Sequence, residues 1–466
     1  MDTLDLSRWQ FAITTVYHYL FVPLSVGLAY LIAVLQTIYV IKGDEKYKQL
    51  TKFWGTMFLL NFAVGVVTGI IQEFQFGMNW ADYSRFVGAV FGGPLAVEAL
   101  VSFFLESTFL GIWIFGWDRL PKKIHLLCIW LVAIAATLSA LWILSANSFM
   151  QNPVGYEIVN GRAEMTDFFA LLGNEKLWNA FPHVIYGALA TGAFFMVGIS
   201  AYKILRKQQV EFFKSSFTLG IIVALISSVL TATAGHSQAQ YLVEKQPMKM
   251  AAAEALWETS PENAPLSIFA VIDTENKENK FNIEIPYLLS VMSYNKLSGS
   301  LTGMNELQQQ SVEQYGEGDY IPPVKTTYWS FRIMVYAGVL MIVLALVGTL
   351  LMVKNKLESN KWRFFLKWLL PAVFLPYIAN SAGWIMAEVG RQPWIVNGLQ
   401  KTEAGVSPLV TPGTVLTSLI GFTVVYGILM AVFIYLVLNT TKKGVQDDSH
   451  EIHAKPKDKD IEFSAI

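Results

Sequence analysis

The chain has 466 residues, 54% of them hydrophobic and 15% charged, with a formal net charge of −1. Soluble domains carry about 25% charged residues, so this composition describes a protein with several membrane spans, and its near-neutral charge gives no electrostatic footprint for nucleic acid. The single cysteine, Cys128, excludes an internal disulfide, a cysteine-held iron–sulfur cluster and a CxxCH haem attachment.

Apolar runs long enough to cross a bilayer, about 20 residues each, fall at 11–40, 53–72, 92–117, 124–147, 181–204, 216–236, 327–353, 366–387 and 412–438. The expected fold is an all-α, polytopic membrane protein with about nine transmembrane helices. The start, MDTLDLSRW, is acidic and leads into a run too long for a signal peptide, so the first span is expected to be retained. Lys42, Lys46, Lys48 and Lys52 crowd the first link, Arg119, Lys122 and Lys123 the third, and Lys203, Arg206, Lys207 and Lys214 the fifth. Lys354, Lys356, Lys361, Arg363 and Lys367 crowd the seventh, and the alternate short links are poorer in Lys and Arg. The positive-inside rule then places the N-terminus outside and the C-terminus in the cytoplasm. Four regions follow: 1–236 with spans 1 to 6, a polar outer loop at 237–326, 327–439 with spans 7 to 9, and a charged tail at 440–466. The tail is too poor in apolar residues to fold alone. In the loop, Lys249 to Glu258 reads as a short helix of good helix formers.

The informative residues are the polar ones inside the apolar runs. The stretch GWIMAEVGRQPW, Gly383 to Trp394, closes the eighth run with Glu388, a carboxylate that is costly at the edge of hydrocarbon unless something binds it. Pro393 stops that helix, and Arg391 and Trp394 suit an interface. His18 lies in the first span and His183 near the start of the fifth. His125 and His236 read as interfacial, and His450 and His453 as solvated tail residues. Met334, in the seventh span, lies about 10 Å deep at 1.5 Å per residue, and His183 lies near the outer edge. A haem bridges such a difference, and His/Met is an axial pair of low-spin haem. Arg332, two residues before Met334, could pair with a haem propionate; alone, Met334 would read as core packing. Glu98, Ser102 and Glu106 are spaced i, i+4, i+8 on the third span, with Ser107 beside them and Ser139 on the fourth span able to extend the row. Carboxylates and hydroxyls on one face have the form of a proton relay. Glu73 fits an outer-surface role less specifically. His18, Glu98, His183, Met334 and Glu388 fall in the outer half and Glu106 lies deeper, as expected for redox centres near the outer face with protons supplied from inside.

The segments QFAITTVYHYLFVPL, EFQFGMNW, GPLAVEALVSFFLESTFLG, SALWILSANSFMQNPVG, YWSFRIM and GWIMAEVGRQPW occur in this order. With them the sequence resembles subunit I of the cytochrome bd-type quinol oxidases, through nearly its whole length to about residue 440. The resemblance implies a quinol:O2 oxidoreductase of the bacterial cytoplasmic membrane that separates charge without pumping. It implies a low-spin haem b, a high-spin haem b, and haem d or a third haem b. Its implied partners are a second membrane subunit (subunit II), small single-helix subunits, ubiquinol or menaquinol, O2 and the lipid bilayer. Residue by residue, His183 and Met334 match the low-spin haem ligands, and His18 and Glu388 the axial ligands of the two high-spin haems. Arg332 and Arg391 match residues near the propionates and the donor end. Glu98 matches the acid beside the haem pair, Trp384 the tryptophan packed against it, and Glu106, Ser107 and Ser139 the proton path. Lys249 and Glu254 match the quinol-site pair; five residues apart, they would not quite share a helical face, and without the resemblance they would read as solvated residues on an exposed helix. No large insertion precedes the seventh span, so the loop is of the short type. Two rival readings use the same residues: a proton-coupled transporter, which needs no haem, and a quinone:acceptor electron carrier, which leaves Glu388 and Glu98 without a role.

Overall fold

The computed structural model describes residues 2–357 and 359–445. Among these residues nine helical spans are long and apolar enough to cross a membrane: Thr3–Lys42, Glu45–Met78, Ala81–Phe115, Lys122–Gln151, Glu175–Leu205, Val210–Lys245, Val324–Val353, Asn360–Val389 and Pro412–Lys443, numbered here as spans 1 to 9. Each of the nine apolar runs lies within one of them or overlaps it, and the helices extend beyond most runs by polar turns. Successive spans reverse direction, so the even-to-odd links share one end of the bundle with the long loop. This is termed the loop end, and the other the basic end.

Two spans are interrupted where polar residues stand. Span 1 consists of the helices Thr3–Tyr19 and Val22–Lys42, with Pro23 in the first turn of the second. Proline has no N–H for the preceding turn, and the break falls just after His18. Span 3 contains Pro94 and then a π-helical segment, Glu98–Phe103. In an unbroken α-helix Glu106 would be rotated about 80° from Glu98, eight steps of about 100°. The wider π turn rotates less per residue and closes that gap. Ser102 and Glu106 are buried, whereas Ala99, Leu100, Val101, Phe103 and Phe104 are exposed. The shared face expected from the i, i+4, i+8 spacing therefore exists because the helix is not regular.

Span 5 is the central post, with 78% of its apolar window buried, against 6% for span 9. It packs on spans 1, 4 and 6, and small residues set how closely. A Cβ on Gly192 of span 5 would lie 2.6 Å from the backbone carbon of Gly27 in span 1. The two helices thus touch backbone to backbone, as membrane helices do where small residues face each other.

The long loop is compact. Span 6 runs to Lys245, two turns past its apolar run, and carries His236 with it; that ring bonds Asn295 Oδ1 at 2.9 Å in the loop. The helix Pro247–Glu254 follows, then an antiparallel hairpin of Leu266–Asp273 with Glu278–Ile285, and the helices Leu288–Tyr294 and Met304–Tyr315. The expected helix from Lys249 to Glu258 ends at Glu254, because Ala255 turns left-handed at φ 52°. Nor is that helix exposed: Lys249 through Glu254 are all buried, because the hairpin, span 7 and the end of span 4 enclose it. Span 9 continues through residues 440–443, and the tail from 446, with His450 and His453, lies outside the described residues. Replacing Gly192 by Leu should force spans 1 and 5 apart at a cost of about 1–3 kcal/mol. It should lower the thermal midpoint of the purified protein more than Gly192→Ala does.

Candidate functional site

His18 and His183 are prepared in the same way. His183 Nδ1 lies 2.9 Å from the Thr231 carbonyl of span 6. A carbonyl only accepts, so Nδ1 carries the proton and Nε2 keeps its lone pair. His18 Nδ1 lies 3.0 Å from Thr68 Oγ1 of span 2. The one Thr68 hydroxyl proton is directed to the carbonyls of Val64 and Gly65, at 2.9 and 3.0 Å. Thr68 therefore accepts from His18, and Nε2 is again the free lone pair. This is the tautomer a metal-ligating imidazole needs, fixed by its other nitrogen. Each ring stands over a glycine of a neighbouring span: a Cβ on Gly69 would meet His18 Cε1 at 3.1 Å, and one on Gly235 would meet His183 Cε1 at 3.2 Å. Met334 is treated alike, its sulfur 2.9 Å from where a Cβ on Gly383 would stand. Spans 5 and 7 both pack on spans 6 and 8, so His183 and Met334 project within one cluster of four helices. Trp384 packs edge-on against Tyr19, next to His18, with centroids 5.5 Å apart.

His125, expected at an interface, is instead a buried core residue. Nε2 bonds the Trp113 carbonyl at 2.7 Å, Nδ1 bonds Gln36 Nε2 at 2.7 Å, and Gln36 Oε1 accepts from Trp113 Nε1 at 2.7 Å. Both nitrogens are engaged, so this ring presents no lone pair to a metal.

Glu388 is the hub of a polar cluster at the loop end. Its carboxylate accepts from Asn147 Nδ2 at 2.9 Å, from Gln151 Nε2 at 3.2 Å and from Arg391 Nη2. Arg391 is buried, yet its Nε and Nη1 have no partner among the described residues. Gln151 accepts from Lys249 Nζ through Oε1, and its carbonyl accepts from Gln246 Nε2 at 2.5 Å. Asn147, Gln151, Gln246 and the nearby Lys176 were not singled out by sequence pattern. Their signal was polar residues at the ends of apolar runs, with SANSFMQNPVG holding two of them. Deeper in the bundle Ser139 Oγ donates to Glu98 Oε1 at 2.7 Å, while the Ser102 hydroxyl on the same face is buried without a partner. Ser107 donates back to its own helix, to the Phe103 carbonyl at 2.8 Å, and is not brought to this pair.

Lys249 and Glu254 are not brought together. Five helical steps separate their directions by about 140°. Lys249 turns to Gln151, whereas Glu254 forms a two-pronged ion pair with Arg332, at 3.2 Å to Nη1 and 2.5 Å to Nη2. Arg332 Nε also donates to the Ser267 carbonyl at 2.6 Å. Arg332, expected toward a propionate, is thus engaged on all three nitrogens by the loop. Burial pushes the Glu254 carboxyl above its ordinary range, with Arg332 opposing. Burial, together with Lys176 and Arg391, holds the Lys249 amine well below its ordinary value, with Glu388 opposing. Arg332 also lines an apolar cleft of about 450 Å³ between the hairpin and span 7, with Leu266, Ile268, Phe331 and Tyr336.

These residues suit haem. Two imidazoles, each tied through Nδ1 with Nε2 unengaged, and a thioether pack on glycines of neighbouring spans, and Arg391 holds two buried donors for which a propionate is a fitting acceptor. What fold and site define together is a helical membrane protein with two imidazoles and a thioether suited to bind a cofactor, and with acids buried among its spans. The cytochrome bd terminal oxidase subunit I family matches residues 6–445. The chain is 57% identical to Bacillus subtilis cytochrome bd ubiquinol oxidase subunit 1, over 97% of this chain and 96% of that one. It is 38% identical to Escherichia coli cytochrome bd-II ubiquinol oxidase subunit 1, over 95% and 97%. The solved bd oxidase from Geobacillus thermodenitrificans superposes with a TM-score of 0.86 at 32% identity, covering 95% of this chain and 99% of that one. The chain belongs to the cytochrome bd terminal oxidase subunit I family, and its reaction class is quinol:O2 oxidoreduction. The transporter and electron-carrier readings gain no support.

Replacing Arg332 by Met leaves Glu254 as an unpaired buried carboxylate, which costs about 3–5 kcal/mol. Thermal unfolding should show Arg332→Met to be less stable than the double variant Arg332→Met with Glu254→Gln.

Proposed function

We propose that this subunit oxidises quinol at the loop end, taken as the outer face of a bacterial cytoplasmic membrane, and draws protons for oxygen reduction from the basic end. The observation that carries this reading is the matched preparation of His18 and His183: Nδ1 tied to a neighbouring span, Nε2 free over a glycine. In the assignment, His183 and Met334 hold a low-spin haem b. His18 and Glu388 serve the two high-spin groups, a haem b and a haem d or third haem b. When bound, these groups supply electron transfer and the oxygen-binding iron.

The chain's own residues do the rest. The apolar cleft takes a quinol, with the ring toward Arg332 and the tail along Val339, Leu340 and Val343. Arg332, which lines the cleft, donates to a quinone oxygen through the second proton of an Nη group, and its ion-pair partner Glu254 accepts the quinol proton. Burial raises its carboxyl pKa, with Arg332 opposing, which makes it a stronger base than an exposed glutamate. Lys249 faces away from this cleft, and its role is to hold Gln151 and through it the Glu388 end of the cluster. Arg391 holds a propionate. Glu106, Ser102, Glu98 and Ser139 form the proton path on the face that the π turn aligns, with Ser107 on its flank. Quinol protons leave at the loop end and chemical protons enter from the basic end, so charge separates without a pump. Span 9, buried over only 6% of its apolar window, offers apolar surface to subunit II, to single-helix subunits and to lipid.

The first test is the reduced-minus-oxidised spectrum of the purified oxidase, with and without carbon monoxide. A low-spin b band and a carbon monoxide-sensitive chlorin band support the assignment with haem d. High-spin b signals alone replace haem d by a third haem b, and a haem-free preparation from haem-competent cells overturns the reading. Met334→Leu should remove the low-spin band selectively. Glu106→Gln should slow oxygen reduction at least tenfold while leaving the spectrum intact; full turnover would take Glu106 off the path.

A further inference from the structure

Lys176 stands seven residues before His183 in span 5. Seven residues are two helical turns, so both side chains project from one face, with Lys176 about 10 Å nearer the loop end. Lys176 is 8% exposed. Its Nζ donates to Gln238 Oε1 at 3.3 Å and lies 5.5 Å from the centroid of the Tyr241 ring. Among the described residues it forms no ion pair. A buried ammonium with one neutral acceptor is costly, because the interior does not replace the water it has lost.

Its charged surroundings offset that cost only in part. Glu388 lies within electrostatic reach of Lys176, but the same carboxylate also faces Lys249 and Arg391. That carboxylate is already paired to Arg391, which still leaves Nε and Nη1 buried and unpartnered. The cluster is short of negative charge. Arg332, the other buried guanidinium at this end, is matched by Glu254.

We infer that Lys176 binds a propionate of the haem held by His183, the place that sequence pattern gave to Arg332. The inference rests on the proposed assignment of His183. Three features support it. Lys176 and His183 share a face of one helix, and the ammonium lies within electrostatic reach of the imidazole. The ammonium is a compact donor whose one partner, Gln238, is neutral and can be exchanged for a carboxylate. A haem brings two carboxylates to a cluster whose one carboxylate, Glu388, is already paired to Arg391.

The test uses the purified oxidase and reads the midpoint potential of the low-spin haem by equilibrium redox titration. A cation beside a haem carboxylate favours the reduced state. Lys176→Met, which keeps the apolar length, should therefore lower the potential with the low-spin band intact, and Lys176→Arg should return it toward the native value. An unchanged potential in Lys176→Met overturns the inference. Loss of the low-spin band in both variants also overturns it, since the lysine would then serve the fold rather than the group. Loss in Lys176→Met alone, with retention in Lys176→Arg, upholds it. His183→Ala separates the two levels. If the low-spin band persists there, the ligand assignment itself fails. If the band is lost there and Lys176→Met keeps its potential, only the assignment of Lys176 fails.

Discussion

The structure depends on one constraint, the cost of a charge in an environment without water. Among the described residues, the two carboxylates Glu254 and Glu388 near the loop end are each met by specific partners. Glu254 is met by Arg332 and Glu388 by Arg391, Asn147 and Gln151. These bonds join elements far apart in the chain. Glu254 belongs to the loop and Arg332 to span 7; Gln151 ends span 4 and Glu388 ends span 8. The polar groups that make the site thereby also dock the loop on the bundle. In a bilayer, where apolar helix faces are as content with lipid as with each other, such bonds and close packing of small residues carry the association.

Glycine has the complementary role. Gly69, Gly235 and Gly383 each admit a candidate ligand's side chain against the backbone of a neighbouring span, and Gly27 and Gly192 let spans 1 and 5 meet at their backbones. One set seats side chains and the other seats helices. The second gives the central post a fixed position from which His183 projects.

The short helix Pro247–Glu254 shows how one element can serve two sites. Its opposite faces carry Lys249 and Glu254, so the loop that forms one wall of the apolar cleft also reaches, through Gln151, the carboxylate at the end of span 8. Two side-chain hydrogen bonds, Lys249 to Gln151 and Gln151 to Glu388, join this helix to the end of span 8.

The nine spans, the loop and the candidate ligands His18, His183, Met334 and Glu388 were legible in the sequence. Span length is set by bilayer thickness, and an ionisable residue in an apolar run has few inexpensive reasons to be there. Ordered motifs carried the family. Tertiary structure alone decided who partners whom. It turned Arg332 to Glu254, separated Lys249 from Glu254, buried the helix that carries them, and made His125 part of the core. It aligned Glu98 with Glu106 through a π turn, which no periodicity count reports. The physical reason is that composition and spacing set the cost of each charge, whereas relief of that cost comes from groups brought in by other spans. Which groups arrive is a property of packing.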